Sequence, residues 1–189
     1  MESFFLTFPT VAIAELGDKT QLVVLFLAAR FKKPRAVLAG LLLGAAANAA
    51  VAVVGGALLD RLLPAGLLEW LVALLFLFIG GWILFGHEHT DETPPPVSSH
   101  GAFLTTLWLF FIMEMGDKTQ LATVALAAGL PSAAWVFAGA ALGLAAANVP
   151  ALWLGHRFAS RLPHGLLHRL SAFLFIAVGL ALIVQRLAL

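Results

Sequence analysis

Glu15-Leu16-Gly17-Asp18-Lys19-Thr20-Gln21-Leu22 lies in the middle of a long apolar stretch, and it occurs twice. The eight positions return as Glu114-Met115-Gly116-Asp117-Lys118-Thr119-Gln120-Leu121, changed only at the second. Each copy puts two acids and a lysine among neighbours that are almost all apolar. Charge inside an apolar run of membrane length is costly and is retained where it does chemical work. The composition fits that setting: 189 residues, 61% hydrophobic, 11% charged, with a mean hydropathy of +0.99. Soluble domains are about 45–50% apolar and about 25% charged, so the chain reads as an integral membrane protein.

A spanning helix needs roughly 20 mainly apolar residues. Six runs qualify: 4–29, 36–59, 66–86, 102–128, 133–156 and 166–186. The breaks between them contain Pro34, Pro64, the polar stretch with Pro94 to Pro96, Gly129-Leu130-Pro131, and Pro163. Barrel strands would alternate over segments of about 10 residues; these runs are continuous and longer. The expectation is an all-α membrane protein with six transmembrane helices. The first run follows no basic segment and meets Glu15 rather than a small-residue cleavage site, so it reads as a retained helix. The net charge of +1 says nothing about partners, but the lack of a basic patch with interleaved aromatics argues against nucleic acid. The absence of cysteine excludes disulfides and thiolate ligands.

The doubling extends beyond the octapeptide. An offset of 99 residues maps Glu15 on Glu114, Gly40 on Gly139, Gly44 on Gly143 and Gly80 on Gly179. One extra residue aligns 45–48 with 145–148, so that Asn48 matches Asn148. The chain divides into three-helix repeats, 1–86 and 102–189, joined by a polar linker, 87–101. An odd number of spans per repeat makes the second enter the bilayer in the opposite sense, as in secondary transporters with a site near the midplane. Arg30, Lys32, Lys33, Arg35, Arg157, Arg161 and Arg169 fall on one side, with only Arg61 and Arg186 on the other. The positive-inside rule then predicts a cytoplasmic linker and both termini outside.

On a continuous helix Glu15, Asp18 and Lys19 share one face, as do Glu114, Asp117 and Lys118. If the two faces meet, four carboxylates converge, and with both lysines charged they sum to −2. A divalent cation or two protons would neutralise the set. The oxygen-rich ligands suit hard cations such as Mn²⁺, Ca²⁺ or Mg²⁺, with Thr20, Gln21, Thr119, Gln120, Asn48 and Asn148 as neutral donors. Gly17 and Gly116 are positioned to loosen the helix and free a carbonyl for the ion. The alternative for each motif is a Glu–Lys i, i+4 pair that neutralises itself inside a bundle; two near-identical copies with the same Thr-Gln-Leu continuation weigh further against it.

The pattern Glu-(apolar)-Gly-Asp-(Lys/Arg)-(Thr/Ser), present twice in a six-helix chain, resembles the Gdt family, also catalogued as uncharacterised protein family 0016. Residues 15–20 and 114–119 match it without departure. The resemblance implies a cation transporter associated with Mn²⁺ and Ca²⁺, exchanging them for protons. It implies ion binding by Glu15, Asp18, Glu114 and Asp117, and roles for Lys19, Thr20, Lys118 and Thr119. No resident cofactor is expected; the partners are the ions, protons and the bilayer. Two rivals stay open here. One is an intramembrane metal-dependent hydrolase, although no His-Glu-x-x-His pattern or serine elbow occurs. The other is an exporter of small organic solutes such as amino acids.

Weaker signals remain. His87, Glu88, His89, Asp91, Glu92 and His100 in the linker read as a solvated segment or as a collector of metal ions. Gly40, Gly44, Gly139 and Gly143 read as close helix packing. Trp70, Trp82, Trp108, Trp135 and Trp153 read as interfacial aromatics, and Met113 and Met115 as filler.

Overall fold

The computed structural model describes residues 1–85, 101–154 and 164–187, the side chains of Lys19, Ala65, Leu154 and 164–168 excepted. The linker with its histidines and acids, and Arg157, Arg161 and Pro163, lie outside the described residues.

Eight helices and no strand are present among the described residues: α1 (Glu2–Glu15), α2 (Lys19–Phe31), α3 (Pro34–Leu62), α4 (Ala65–Phe85), α5 (Gly101–Glu114), α6 (Lys118–Gly129), α7 (Ala133–Leu154) and α8 (His164–Leu187). Four stretches are long and apolar enough to cross a membrane: Pro34–Leu62, Gly66–Phe85, Ala133–Trp153 and Arg169–Leu187. The expected runs 4–29 and 102–128 are each divided in two, and both divisions fall inside the repeated octapeptide.

Local chemistry sets the ends. Pro34 opens α3 at its first turn, where a missing N–H costs nothing. Leu63 leaves the helix in extended geometry ahead of Pro64, since a residue before proline is pushed out of the α region. Trp82, Phe78, Trp153 and Phe173 are strongly exposed. In water such a surface would drive association; facing lipid it meets its own solvent.

The interior holds two apolar clusters. One joins Leu68, Val72, Phe76 and Ile79 of α4 with Ala172 and Phe175 of α8 and Ala122 and Leu126 of α6. The other joins Val11 of α1, Val24 and Leu27 of α2, Leu41 and Ala45 of α3, Phe110 of α5, and Ala140 and Leu144 of α7. Close approaches recur at the 99-residue spacing. A Cβ on Gly40 would stand 2.5 Å from the Phe103 carbonyl and 2.9 Å from Thr106 Cβ. On Gly139 it would stand 3.3 Å from the Phe4 carbonyl and 2.9 Å from Thr7 Cβ. Thus α3 packs on α5 as α7 packs on α1, and the glycines permit that contact.

Candidate functional site

The break in the first motif is a tight turn. Leu16 has φ −61° and ψ 125°, Gly17 has φ 83°, and the Asp18 N–H donates to the Glu15 carbonyl at 3.1 Å. These are the values of a type II turn, whose third position needs the left-handed conformation that glycine adopts without strain. The second motif repeats it: Gly116 has φ 80°, and the Asp117 N–H donates to the Glu114 carbonyl at 3.3 Å. The continuous helical face expected from the sequence is therefore replaced by a turn. Each glutamate ends one helix, and each aspartate stands directly before the next. Helix N-termini carry partial positive charge, which favours acids there.

Glu15 and Glu114 are fully buried. One carboxylate oxygen from each of Glu15, Glu114 and Asp117 lies within 4.8 Å of the other two. Oxygens on opposite sides of a calcium-sized ion, each about 2.3–2.6 Å from it, stand about 5 Å apart. The three acids can thus reach a single cation. The fourth acid is engaged differently: Asp18 Oδ2 forms an ion pair with Lys118 Nζ of the other motif, with side-chain exposures of only 10% and 18%. The expectation that the lysines face the cluster holds for Lys118; the Lys19 side chain lies outside the described residues.

The neutral donors divide between the carboxylates and the backbone. Thr20 Oγ1 donates to Glu15 Oε1 at 2.6 Å, and Thr119 Oγ1 donates to Glu114 Oε2 at 3.3 Å. Asn148 Nδ2 donates to Glu15 Oε1 at 3.4 Å and to the Leu144 carbonyl at 3.0 Å. Gln21 and Gln120 brace the turns: the Gly17 N–H donates to Gln21 Oε1 at 3.3 Å, and the Gly116 N–H donates to Gln120 Oε1 at 2.6 Å. Gln21 Nε2 also reaches the Ala147 carbonyl at 3.0 Å, whereas Gln120 Nε2 turns to Met115 Sδ at 3.2 Å. Asn48 is buried, and its Nδ2 has no hydrogen-bond partner among the described residues, as is true of Glu15 Oε2 and Asn148 Oδ1. Buried polar atoms without partners are uncommon and mark places of strain or ligand contact.

One participant escaped the sequence reading. Ser171 Oγ of α8 donates to the Ile13 carbonyl at 2.9 Å, in the last turn of α1, where that carbonyl also takes the longer bond from the Leu16 N–H at 3.3 Å. A lone serine in an apolar run carries no signal that would have singled it out.

A sequence model of the family described as "Divalent cation/proton antiporter GDT1" matches residues 3–91 and 102–188. A Vibrio cholerae serotype O1 protein named "Putative manganese exporter" is 38% identical over 182 residues, spanning 96% of this chain and 90% of its own. A Synechocystis protein named "GDT1-like protein sll0615" is 30% identical over 186 residues, spanning 87% of this chain and 88% of its own. No solved structure matches the chain. With the family match running through both motifs, the chain belongs to the GDT1 family of divalent cation/proton antiporters, and is a transporter rather than an enzyme.

Proposed function

We propose that this protein is a secondary transporter that exchanges Mn²⁺, Ca²⁺ or both for protons by alternating access. Its ion site comprises Glu15, Asp18, Glu114 and Asp117. The observation that carries this reading is the meeting of Glu15, Glu114 and Asp117 oxygens within 4.8 Å, at two helix breaks whose turns differ only at Leu16 and Met115. Thr20, Thr119 and Asn148 touch the same carboxylates; Gln21 and Gln120 hold the turns that aim them. Lys118 neutralises Asp18, so the three clustered acids, when ionised, leave a negative charge that a divalent ion or protons offset. Uncompensated charge there is strongly disfavoured, and occupancy passes from one kind of cation to the other. The manganese named for the Vibrio relative favours Mn²⁺ as the first ion to try.

The architecture we infer is two inverted three-helix repeats, 1–86 and 102–189. Helices α1 and α2 have 14 and 13 residues, and at about 1.5 Å per residue they total about 40 Å, enough to cross a hydrocarbon core of about 30 Å with the break near its middle. The same holds for α5 and α6, with 14 and 12 residues. With the four long helices this makes six crossings. Both termini lie outside the inner membrane and the 87–101 linker inside. A small-solute exporter would need an apolar chamber beside its polar groups; the clustered oxygens support an ion instead.

The test is Mn²⁺ flux into proteoliposomes with internal pH recorded. Glu15→Gln and Glu114→Gln are expected to abolish flux while the protein still elutes as a folded species. Flux at the unaltered rate in both would refute the site. Robust Mn²⁺ movement with no accompanying pH change would remove proton exchange.

A further inference from the structure

Asn148 and Asn48 occupy equivalent places on α7 and α3 but do different things. Asn148 donates to two acceptors, the Leu144 carbonyl at 3.0 Å and Glu15 Oε1 at 3.4 Å; two acceptors fix the amide with its nitrogen toward the glutamate. Asn48 is 2% exposed, yet its Nδ2 has no partner. The same inequality runs through the contacts to the long helices and to the glutamates, although the brace within the turn is the shorter at the second motif, 2.6 Å from Gly116 N–H to Gln120 against 3.3 Å from Gly17 N–H to Gln21. Gln21 ties the first turn to the Ala147 carbonyl of α7 at 3.0 Å, while Gln120 bonds Met115 Sδ within its own turn and makes no bond to α3. Thr20 approaches Glu15 to 2.6 Å; Thr119 stays 3.3 Å from Glu114. Helix α7 is fastened to the Glu15 turn, and α3 is not fastened to the Glu114 turn, although α3 packs on α5 through Gly40 as α7 packs on α1 through Gly139.

We propose that Asn148 and Asn48 are matched positioning residues, each orienting the glutamate of the other repeat, Asn148 holding Glu15 in one orientation of the transporter and Asn48 holding Glu114 in the opposite one. This rests on the exchange reading above and deepens it. A buried amide N–H left without an acceptor is costly, so Asn48 gains when the repeats exchange arrangements and Glu114 comes within its reach. Asn148 gives up the corresponding bond in the same step. The ion site is then completed alternately by α7 and by α3.

The experiment uses the full chain reconstituted in liposomes in a single orientation, with apparent KM for Mn²⁺ measured separately at each membrane face. Asn148→Ala is expected to raise KM about tenfold at one face, and Asn48→Ala by a similar factor at the opposite face, the factor carried by a hydrogen bond to a charged group. Should an alanine variant fail to fold, Asn→Ser keeps a hydroxyl that can bond the carbonyl one turn back but does not reach the glutamate; the same sidedness is expected. A purely structural role would lower thermal stability and flux without a face preference. KM changes at the same face for both variants, equal changes at both faces, or no change would overturn the assignment while wild-type flux stands. Absence of Mn²⁺ flux in the unaltered protein would overturn the transport reading, and this assignment with it.

Discussion

Seven of the eight residues are the same in the two motifs, and both fold into the same turn, yet their surroundings differ. At the first, Glu15 is held by Thr20 at 2.6 Å and by Asn148 from α7, and Ser171 of α8 grips the preceding turn. At the second, Glu114 has Thr119 at 3.3 Å, Asn48 of α3 has no partner for Nδ2 among the described residues, and the position 99 residues before Ser171 is Val72, which has no hydroxyl to offer. The shared Gly-Asp sequence thus dictates the turn, while packing from elsewhere dictates how firmly each carboxylate is held. A pair of equal turns held unequally is what a two-state carrier requires, because two equally tight grips would leave nothing to exchange.

The strongest way to break this comparison is to cut what joins the two turns. Lys118 reaches from the second turn to Asp18 beside the first. Removing one partner of a shielded ion pair leaves the other charge uncompensated and costs about 3–5 kcal/mol. Lys118→Met is expected to lower stability by that amount in thermal unfolding of the detergent-solubilised protein. The double variant Asp18→Asn with Lys118→Met should lose much less than the two single losses added together. Additive losses would mean that the pair does not couple the turns.

A finer comparison sets Thr20→Val against Thr119→Val, which removes the same hydroxyl from equivalent places. The shorter bond to Glu15 is expected to cost about 1–2 kcal/mol and the longer bond to Glu114 under about 1 kcal/mol, read from the same unfolding curves. Equal losses would mean that the two carboxylates are held alike.

How much of this was legible beforehand follows from the range of each interaction. The meeting of the two motifs was readable because repetition of a charged octapeptide is itself long-range information: Glu15, Glu114 and Asp117 do converge. The helix breaks were only half readable. Gly17 and Gly116 were seen as loosening points, but the apolar runs on either side outweighed Leu-Gly-Asp, which taken alone carries a type II turn and a helix-starting acid. The cross-motif pairing of Asp18 with Lys118 was not readable, because on a continuous helix the near pairing is Glu15 with Lys19 at i, i+4, and the turn breaks that continuity. The inequality between Asn48 and Asn148 was invisible for a deeper reason: the same alanine-rich context surrounds both, and what separates them is the arrangement of helices that the sequence relates symmetrically.

Ser171 gives the smallest and most local test of the comparison. Its hydroxyl gives the Ile13 carbonyl at the end of α1 a 2.9 Å bond, shorter than the 3.3 Å bond from the Leu16 N–H that the same oxygen accepts. Ser171→Ala makes α8 resemble α4, whose Val72 packs against α6 in the apolar core without a polar contact. The expected loss is about 1 kcal/mol, the net value of one buried neutral hydrogen bond. The consequence for transport has a direction: freeing the end of α1 loosens the first turn alone, so Glu15 should lose part of its advantage over Glu114. Combined with Thr20→Val, the two losses should fall short of their sum, since both act on the placement of one turn. Combined with Thr119→Val they should add, since the hydrogen bond of Ser171 goes to the helix that ends in the first turn. A matched pair of double variants therefore reads the inequality directly, and coupling to Thr119 as strong as coupling to Thr20 would show that α8 supports the two turns as a single unit.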